Sequence, residues 1–265
     1  MKQFKIWKIA AIGLALFSLF AAIYFWAKSK KLTTPNVTFL TAEEMQKHLN
    51  DDADHYYDKF HKTDLKVRKV KSKEDYLEKI ASSACDPTTE VRDKLGHCIQ
   101  KVHDKLDQMR DQVIEGIKIG ELLDLKWKIG FTCDKHYENG LPHTRSDVIV
   151  LYNKDIQSRN IPEVCELLIH EKVHVYQKMF EKEMNDHIRN EYDEYQRKDY
   201  KDESIPANPD IDDYVYKSKA DGKVLEAHYS KKPKHFRDVK YTDNESSMEH
   251  PLENIAYKVQ KIFKD

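Results

Sequence analysis

The chain has 265 residues, with 45 basic and 46 acidic side chains, a net charge of −1 and only 7 glycines. Balanced charge excludes a global field for nucleic acid, so no nucleic-acid partner is expected. A charged fraction of 34% with so little glycine points to a helix-rich, well-solvated protein and not to a glycine-rich barrel.

Residues 1–31 differ from the rest. Ile9 to Ala27 is a 19-residue run without charge, long enough to cross a bilayer core. Lys2, Lys5 and Lys8 precede it, and Lys28, Lys30 and Lys31 follow. Trp7 at one end and Tyr24-Phe25-Trp26 at the other resemble interfacial aromatic belts. Bulky aromatics stand where a cleaved signal peptide would need small residues. The expectation is one transmembrane helix at 9–27, an uncleaved signal-anchor and a single-pass membrane location. Three lysines on each side leave the orientation undetermined.

Residues 32–120 read as a helical region. Thr41 with Glu44 makes a capping-box signal ahead of Met45 and Leu49. Ser72 suits the cap of a helix from Tyr76 to Ala84. Asp86-Pro87 opens a third helix, running to about Met109, with the apolar stripe Val91, Leu95, Cys98, Val102 and Leu106. Cys85, Cys98, Cys133 and Cys165 read as buried free thiols, although an oxidising space would allow three disulfide pairings.

From residue 121 the period changes. Leu125, Trp127, Ile129, Phe131 and Cys133 alternate with Lys126, Lys128, Gly130 and Thr132, the pattern of a half-buried strand. Asn139-Gly140 marks a turn, and Asp147 to Tyr152 reads as a second, more fully buried strand. A helix follows. Asn160 and Glu163 make a capping box around Pro162, and Val164, Leu167, Leu168, Val173, Tyr176 and Phe180 recur at helical spacing. Inside it stands His170-Glu171-Lys172-Val173-His174. Histidines at i and i+4 share a helix face and can reach one zinc ion, and the glutamate between them can deprotonate a water there. Composition alone would produce this pattern roughly 0.05 times by chance. The competing reading is a helix with two surface histidines.

A catalytic zinc needs three protein ligands. No glycine or proline lies between Glu163 and Lys201, so the helix is expected to continue. Glu191, 17 residues past His174, would then lie roughly 25 Å away. Glu253 instead sits in Glu249-His250-Pro251-Leu252-Glu253-Asn254-Ile255-Ala256, at the start of a separate helix with Leu252, Ile255, Ala256, Val259 and Phe263 on one face. Small Ala256 permits close approach. The expected zinc ligands are therefore His170, His174 and Glu253, with Glu171 as the catalytic base. Glu249 and Glu191 stand in reserve, and Glu249 could alternatively orient a histidine. Short strands are expected at Tyr214–Tyr216 and Lys223–Tyr229. Tyr216, His228, Tyr229, Tyr241 and His250 are candidates for stabilising an oxyanion, and spacing selects none of them. Gln177 and His143 are either supports of the site or ordinary exposed and turn residues.

His170 to Gln177 and Glu253 to Ala256 resemble the motifs of gluzincin-type zinc metallopeptidases. Leu141 to Thr144, Asp147 to Leu151 and Asn208 to Asp212 resemble segments of poorly characterised HExxH proteins of algal and large DNA-virus type. The resemblance spans 121–265 and implies an α+β fold. A zincin-like domain, made of a small sheet, an active-site helix and a C-terminal ligand helix, would follow the helical region at 32–120 and the anchor at 1–31. In such domains a strand ahead of the helix can hold extended substrate by edge pairing. The implied function is membrane-anchored, Zn2+-dependent hydrolysis of a peptide or protein substrate, with the membrane engaged through residues 9–27. The chain departs from the pattern in the 79-residue gap between His174 and Glu253. The alternative is a membrane-anchored structural or adaptor protein that keeps the fold without activity.

Overall fold

The helix starts follow from local side-chain chemistry. The computed structural model describes residues 34–264. In chain order it contains β1 (Val37–Phe39), α1 (Ala42–Asp51), α2 (Lys62–Val67), α3 (Lys73–Ile80), β2 (Ala84–Cys85) and α4 (Thr89–Gln108). Then come β3 (Val113–Ile114), β4 (Ile117–Lys118), α5 (Ile119–Asp124), β5 (Trp127–Thr132), β6 (His143–Arg145), β7 (Val148–Tyr152) and α6 (Asn153–Ser158). The last third holds α7 (Ile161–Met179), α8 (Glu181–Glu191), β8 (Tyr192–Arg197), β9 (Tyr214–Ser218), β10 (Val224–Leu225), β11 (Ala227–Tyr229), β12 (Val239–Tyr241) and α9 (Pro251–Ile262). Both halves of the Thr41/Glu44 and Asn160/Glu163 capping boxes form, satisfying backbone donors that the first turn leaves unpaired. Ser72 caps α3, while α4 is capped by Thr88.

Five strands from distant parts of the chain build the main sheet. Its order is β1-β5-β7-β6, with β2 also paired to β5. β1, β5 and β7 are parallel, and β2 and β6 join antiparallel. The fold is thus a mixed α/β arrangement in place of the small sheet of an α+β domain. Strands β1 and β2 come from the stretch expected to be helical. The expected strands became β5 and β7, which are interior. One edge is β6, three residues that read as part of a turn, and β1 and β2 form the other. All five residues of β7 are buried, as expected for a strand covered on both faces.

α4 and α9 both pack on α7. Val91, Leu95, Ile99, Val102 and Leu106 of α4 join Val164, Leu168, Ile169 and Val173 of α7 in the main core, where Leu252, Ile255, Ala256 and Val259 of α9 also sit. Two disulfides lock this arrangement and correct the reading of free thiols. Cys85–Cys133 ties β2 to the end of β5, and Cys98–Cys165 ties α4 to α7. They close 48- and 67-residue separations, for which chain entropy gives about 4 kcal/mol each.

Two further expectations are corrected. Among the described residues no helix is long and apolar enough to cross a membrane. The longest, α4 and α7, carry charged or histidine side chains through their middles. The run at 9–27 lies outside the described residues, and the expected transmembrane helix and single-pass location find no support among the described ones. The helix bearing the motif also does not continue to Lys201. It ends at Phe180, whose φ of −121° and ψ of 44° leave the helical region. The Phe180 ring packs at 4.5 Å on that of Tyr176 one turn before, and the break contains neither glycine nor proline.

Candidate metal centre

Helix α7 presents His170 and His174 one turn apart, and α9 meets them with Glu253 in its first turn. Pro251 starts α9, and His250 caps it by accepting the Leu252 N–H on Nδ1. Ala256 is fully buried, so nothing bulky separates the helices. One ligand atom from each of His170, His174 and Glu253 lies within 4.8 Å of the others. The two Nε2 atoms are 3.1 Å apart, and each is 3.5–3.6 Å from a Glu253 oxygen. Ligands at 2.0–2.1 Å around tetrahedral zinc are separated by about 3.3 Å.

The donor set can be tested for what it lacks. His174 Nδ1–H donates to Gln177 Oε1 at 2.8 Å, and His170 Nδ1–H donates to Gln260 Oε1 at 3.1 Å. Each hydrogen bond fixes the tautomer that leaves Nε2 as a lone pair. Two lone pairs and a carboxylate therefore converge with no proton of their own between them, an arrangement that attracts one positive charge. Protonation answers this in part. Burial opposes a charge on His170, but the hydrogen bond and charge of Glu253 outweigh it and raise the imidazole to about 9. Burial lowers His174 to about 3. The residues fit a divalent cation that takes nitrogen and oxygen ligands.

Glu171 follows His170 and turns to the edge strand. It is 3% exposed, and Thr144 Oγ1 donates to its Oε2 at 3.0 Å. Burial, and then the charge of Asp210, raise its carboxyl above the usual range. A carboxylate at this position can accept a proton near neutrality. Lys172, the next residue, faces the opposite way. It is fully buried, donates to the Leu125 carbonyl, and lies 4.4 Å from the Trp127 ring. Burial lowers it to about 7.

Two clefts meet at these residues, of about 230 and 350 Å³. Both are lined by Leu141, Pro142, Asp210, Glu253 and Tyr257. The first has walls of Pro206, Tyr229, Phe236, Val239 and Tyr241. The second is polar, with Arg159, Glu163, Glu166 and Arg237.

The expected supporting residues were sorted by the tertiary structure. Gln177 is buried and orients His174, while its Nε2 donates to the Leu252 carbonyl and ties α7 to α9. Glu249 accepts from Asn208 and lines the first cleft, and does not orient a histidine. Glu191 ends α8 beside His187 and Asn254, away from the centre. Among the oxyanion candidates, Tyr216 donates to Asp212, His250 Nε2–H donates to Asp212, and Tyr229 donates to Asp64. His228 bonds Ser204, so of the five only Tyr241 lines the first cleft with no side-chain hydrogen bond among the described residues. His143 is buried, donating to the Leu141 carbonyl and facing Tyr137.

Two residues of the centre were missed. Tyr257 packs its ring edge-on against His170, with centroids 4.7 Å apart, and Gln260 orients that histidine. Both stand on the Glu253 face of α9, at i+4 and i+7, a signal that was present once Glu253 had been chosen.

The edge-pairing expectation does not hold. Thr144 directs its backbone N–H away from β7, and that N–H donates to Asp210 Oδ1 at 2.7 Å. The neighbouring outward position is Pro142, which has no N–H. An incoming strand therefore finds no open amide on β6. No family model, curated protein or solved structure matches this chain.

Proposed function

We propose that the chain is a zinc-dependent peptidase in which His170, His174 and Glu253 hold the metal and Glu171 is the general base. The observation that carries this reading is the convergence of two imidazole lone pairs and a carboxylate beside a buried glutamate. Zinc bound there would supply Lewis acidity and a water acidified toward neutrality. Gln177 and Gln260 hold both imidazoles in the ligating tautomer. Glu171, held at Oε2, keeps Oε1 for the proton of the attacking water and returns that proton to the leaving amine. Tyr257, whose hydroxyl bonds Ser246 at 3.1 Å, is placed to turn its O–H toward the developing oxyanion. The clefts receive the residues on the two sides of the scissile bond, and side-chain contacts select them because β6 offers no open amide.

Metal analysis and peptide hydrolysis on the full chain, with Glu171→Gln beside it, test the reading. One zinc per chain is expected. Glu171→Gln should keep that zinc and lose about 10²–10⁴-fold in kcat. A wild type that binds no zinc, or a variant as active as the wild type, would overturn it.

A further inference from the structure

We infer that Thr144 is the positioning residue of the Glu171 carboxylate, and that Asp210 keeps Thr144 in place by capping the outer amide of the edge strand. The inference rests on the peptidase reading for the work assigned to Glu171, and on geometry for everything else.

Glu171 and Thr144 are both buried, at 3% and 0% exposure. Among the described residues, the Thr144 hydroxyl is the one side-chain donor to that carboxylate, 3.0 Å from Oε2 and 3.2 Å from the Glu171 carbonyl. A buried carboxylate with a single donor has one oxygen held and one oxygen directed elsewhere. Removing the donor leaves a buried acceptor unsatisfied and a side chain able to change rotamer.

The position of Thr144 is itself determined. Side chains alternate along a strand, and β6 turns Thr144 toward α7 while His143 and Arg145 point to the other face. The backbone of Thr144 is pinned from outside by Asp210, which is 9% exposed. Asp210 is held in turn. Its N–H donates to Asn208 Oδ1 at 2.9 Å, and the neighbouring Pro209 carbonyl accepts from Lys178. Two residues further on, Asp212 accepts from His250, the residue that caps the helix carrying Glu253. One short bent segment, Asn208–Asp212, thus fixes both the partner of the base and the start of the ligand helix.

The test uses the full chain with Thr144→Val, Thr144→Ser and Asp210→Ala. Valine keeps the shape and removes the hydroxyl; serine keeps the hydroxyl. Crystal structures of the zinc-free proteins should show Glu171 in one rotamer in the wild type and Thr144→Ser, and displaced in Thr144→Val. With zinc, Thr144→Val should lose about 10–100-fold in kcat with KM within about twofold, the size expected of a misplaced catalytic group. Thr144→Ser should recover most of that loss, and Asp210→Ala should fall between. An unmoved Glu171 in Thr144→Val, or a kcat within about twofold of the wild type, would overturn the inference. So would a Thr144→Ser variant as impaired as Thr144→Val. A zinc-loaded wild type that cleaves no peptide defeats the peptidase reading instead, and the rotamer comparison still decides the positioning.

Discussion

Two buried charged clusters border the first cleft, and they are built on opposite principles. Arg68 is 2% exposed, between Asp64 and Glu138, which are 0% and 5% exposed. All five of its N–H groups are used: Nε and Nη2 reach Glu138, Nη2 also reaches Tyr56, and Nη1 reaches the carboxylate and carbonyl of Asp64. Phe60 and Phe236 stack on the guanidinium at 4.0 and 4.6 Å. Tyr76 donates to Glu138, and Tyr229 and the backbone amides of His61 and Ala207 donate to Asp64. The cluster at His170, His174 and Glu253 is less deeply set, with His170 part-exposed, and without a bound proton or metal its inward atoms are all acceptors. A closed cluster is complete without a ligand, whereas an acceptor-only cluster is finished by a cation. Burial of charge alone does not mark a functional site; the sign and completeness of the hydrogen bonding do.

The largest expected effect sharpens that contrast directly. Glu253→Ala should abolish stoichiometric zinc at micromolar concentrations, a greater loss than the roughly 10–100-fold that removal of an outer partner causes. Calorimetric titration with zinc checks it, and retention of tight binding would return the third-ligand question to Glu249. Next, Arg68→Ala should cost about 3–5 kcal/mol in a urea melt, because it strands two buried carboxylates. Its folded fraction should bind zinc as the wild type does; coupled loss of both properties would erase the distinction between the clusters. Smaller again, Gln177→Ala should weaken zinc by about 10–100-fold, since His174 loses the acceptor that fixes its tautomer.

The smallest effect separates a third ionic group from the metal centre by its pH dependence. Burial alone would raise the Asp54 carboxyl, but the hydrogen bonds and charge of Arg145 hold it at about 2, against an ordinary 3.8. A depressed carboxylate contributes stability above its unfolded value and loses it as pH falls through the folded one. Asp54→Asn should therefore cost about 2 kcal/mol at pH 7, with the difference shrinking from about pH 4 toward pH 2. Melts across that range measure it, and a pH-independent difference would remove the Arg145 pairing as its cause.

The local parts of this molecule were legible in the residue order. Thr41/Glu44, Ser72 and Asn160/Glu163 act within one turn, so their caps were readable without any tertiary contact. The i, i+4 histidines and Pro251 before Glu253 are equally local. The choice of Glu253 came partly through a helix expected to run past Glu191, and that helix breaks at Phe180. Its basis was therefore weaker than the geometry around it. Other features were settled by segments meeting across long separations. β1 pairs with β5 across some 90 positions, four cysteines pair off, and Thr144, Asp210 and Gln260 come to the motif from 27 to 90 residues away. Capping and helical periodicity depend on neighbours a turn apart, which the chain states directly. Which distant donor completes a buried acceptor depends on packing, and only the folded chain decides that.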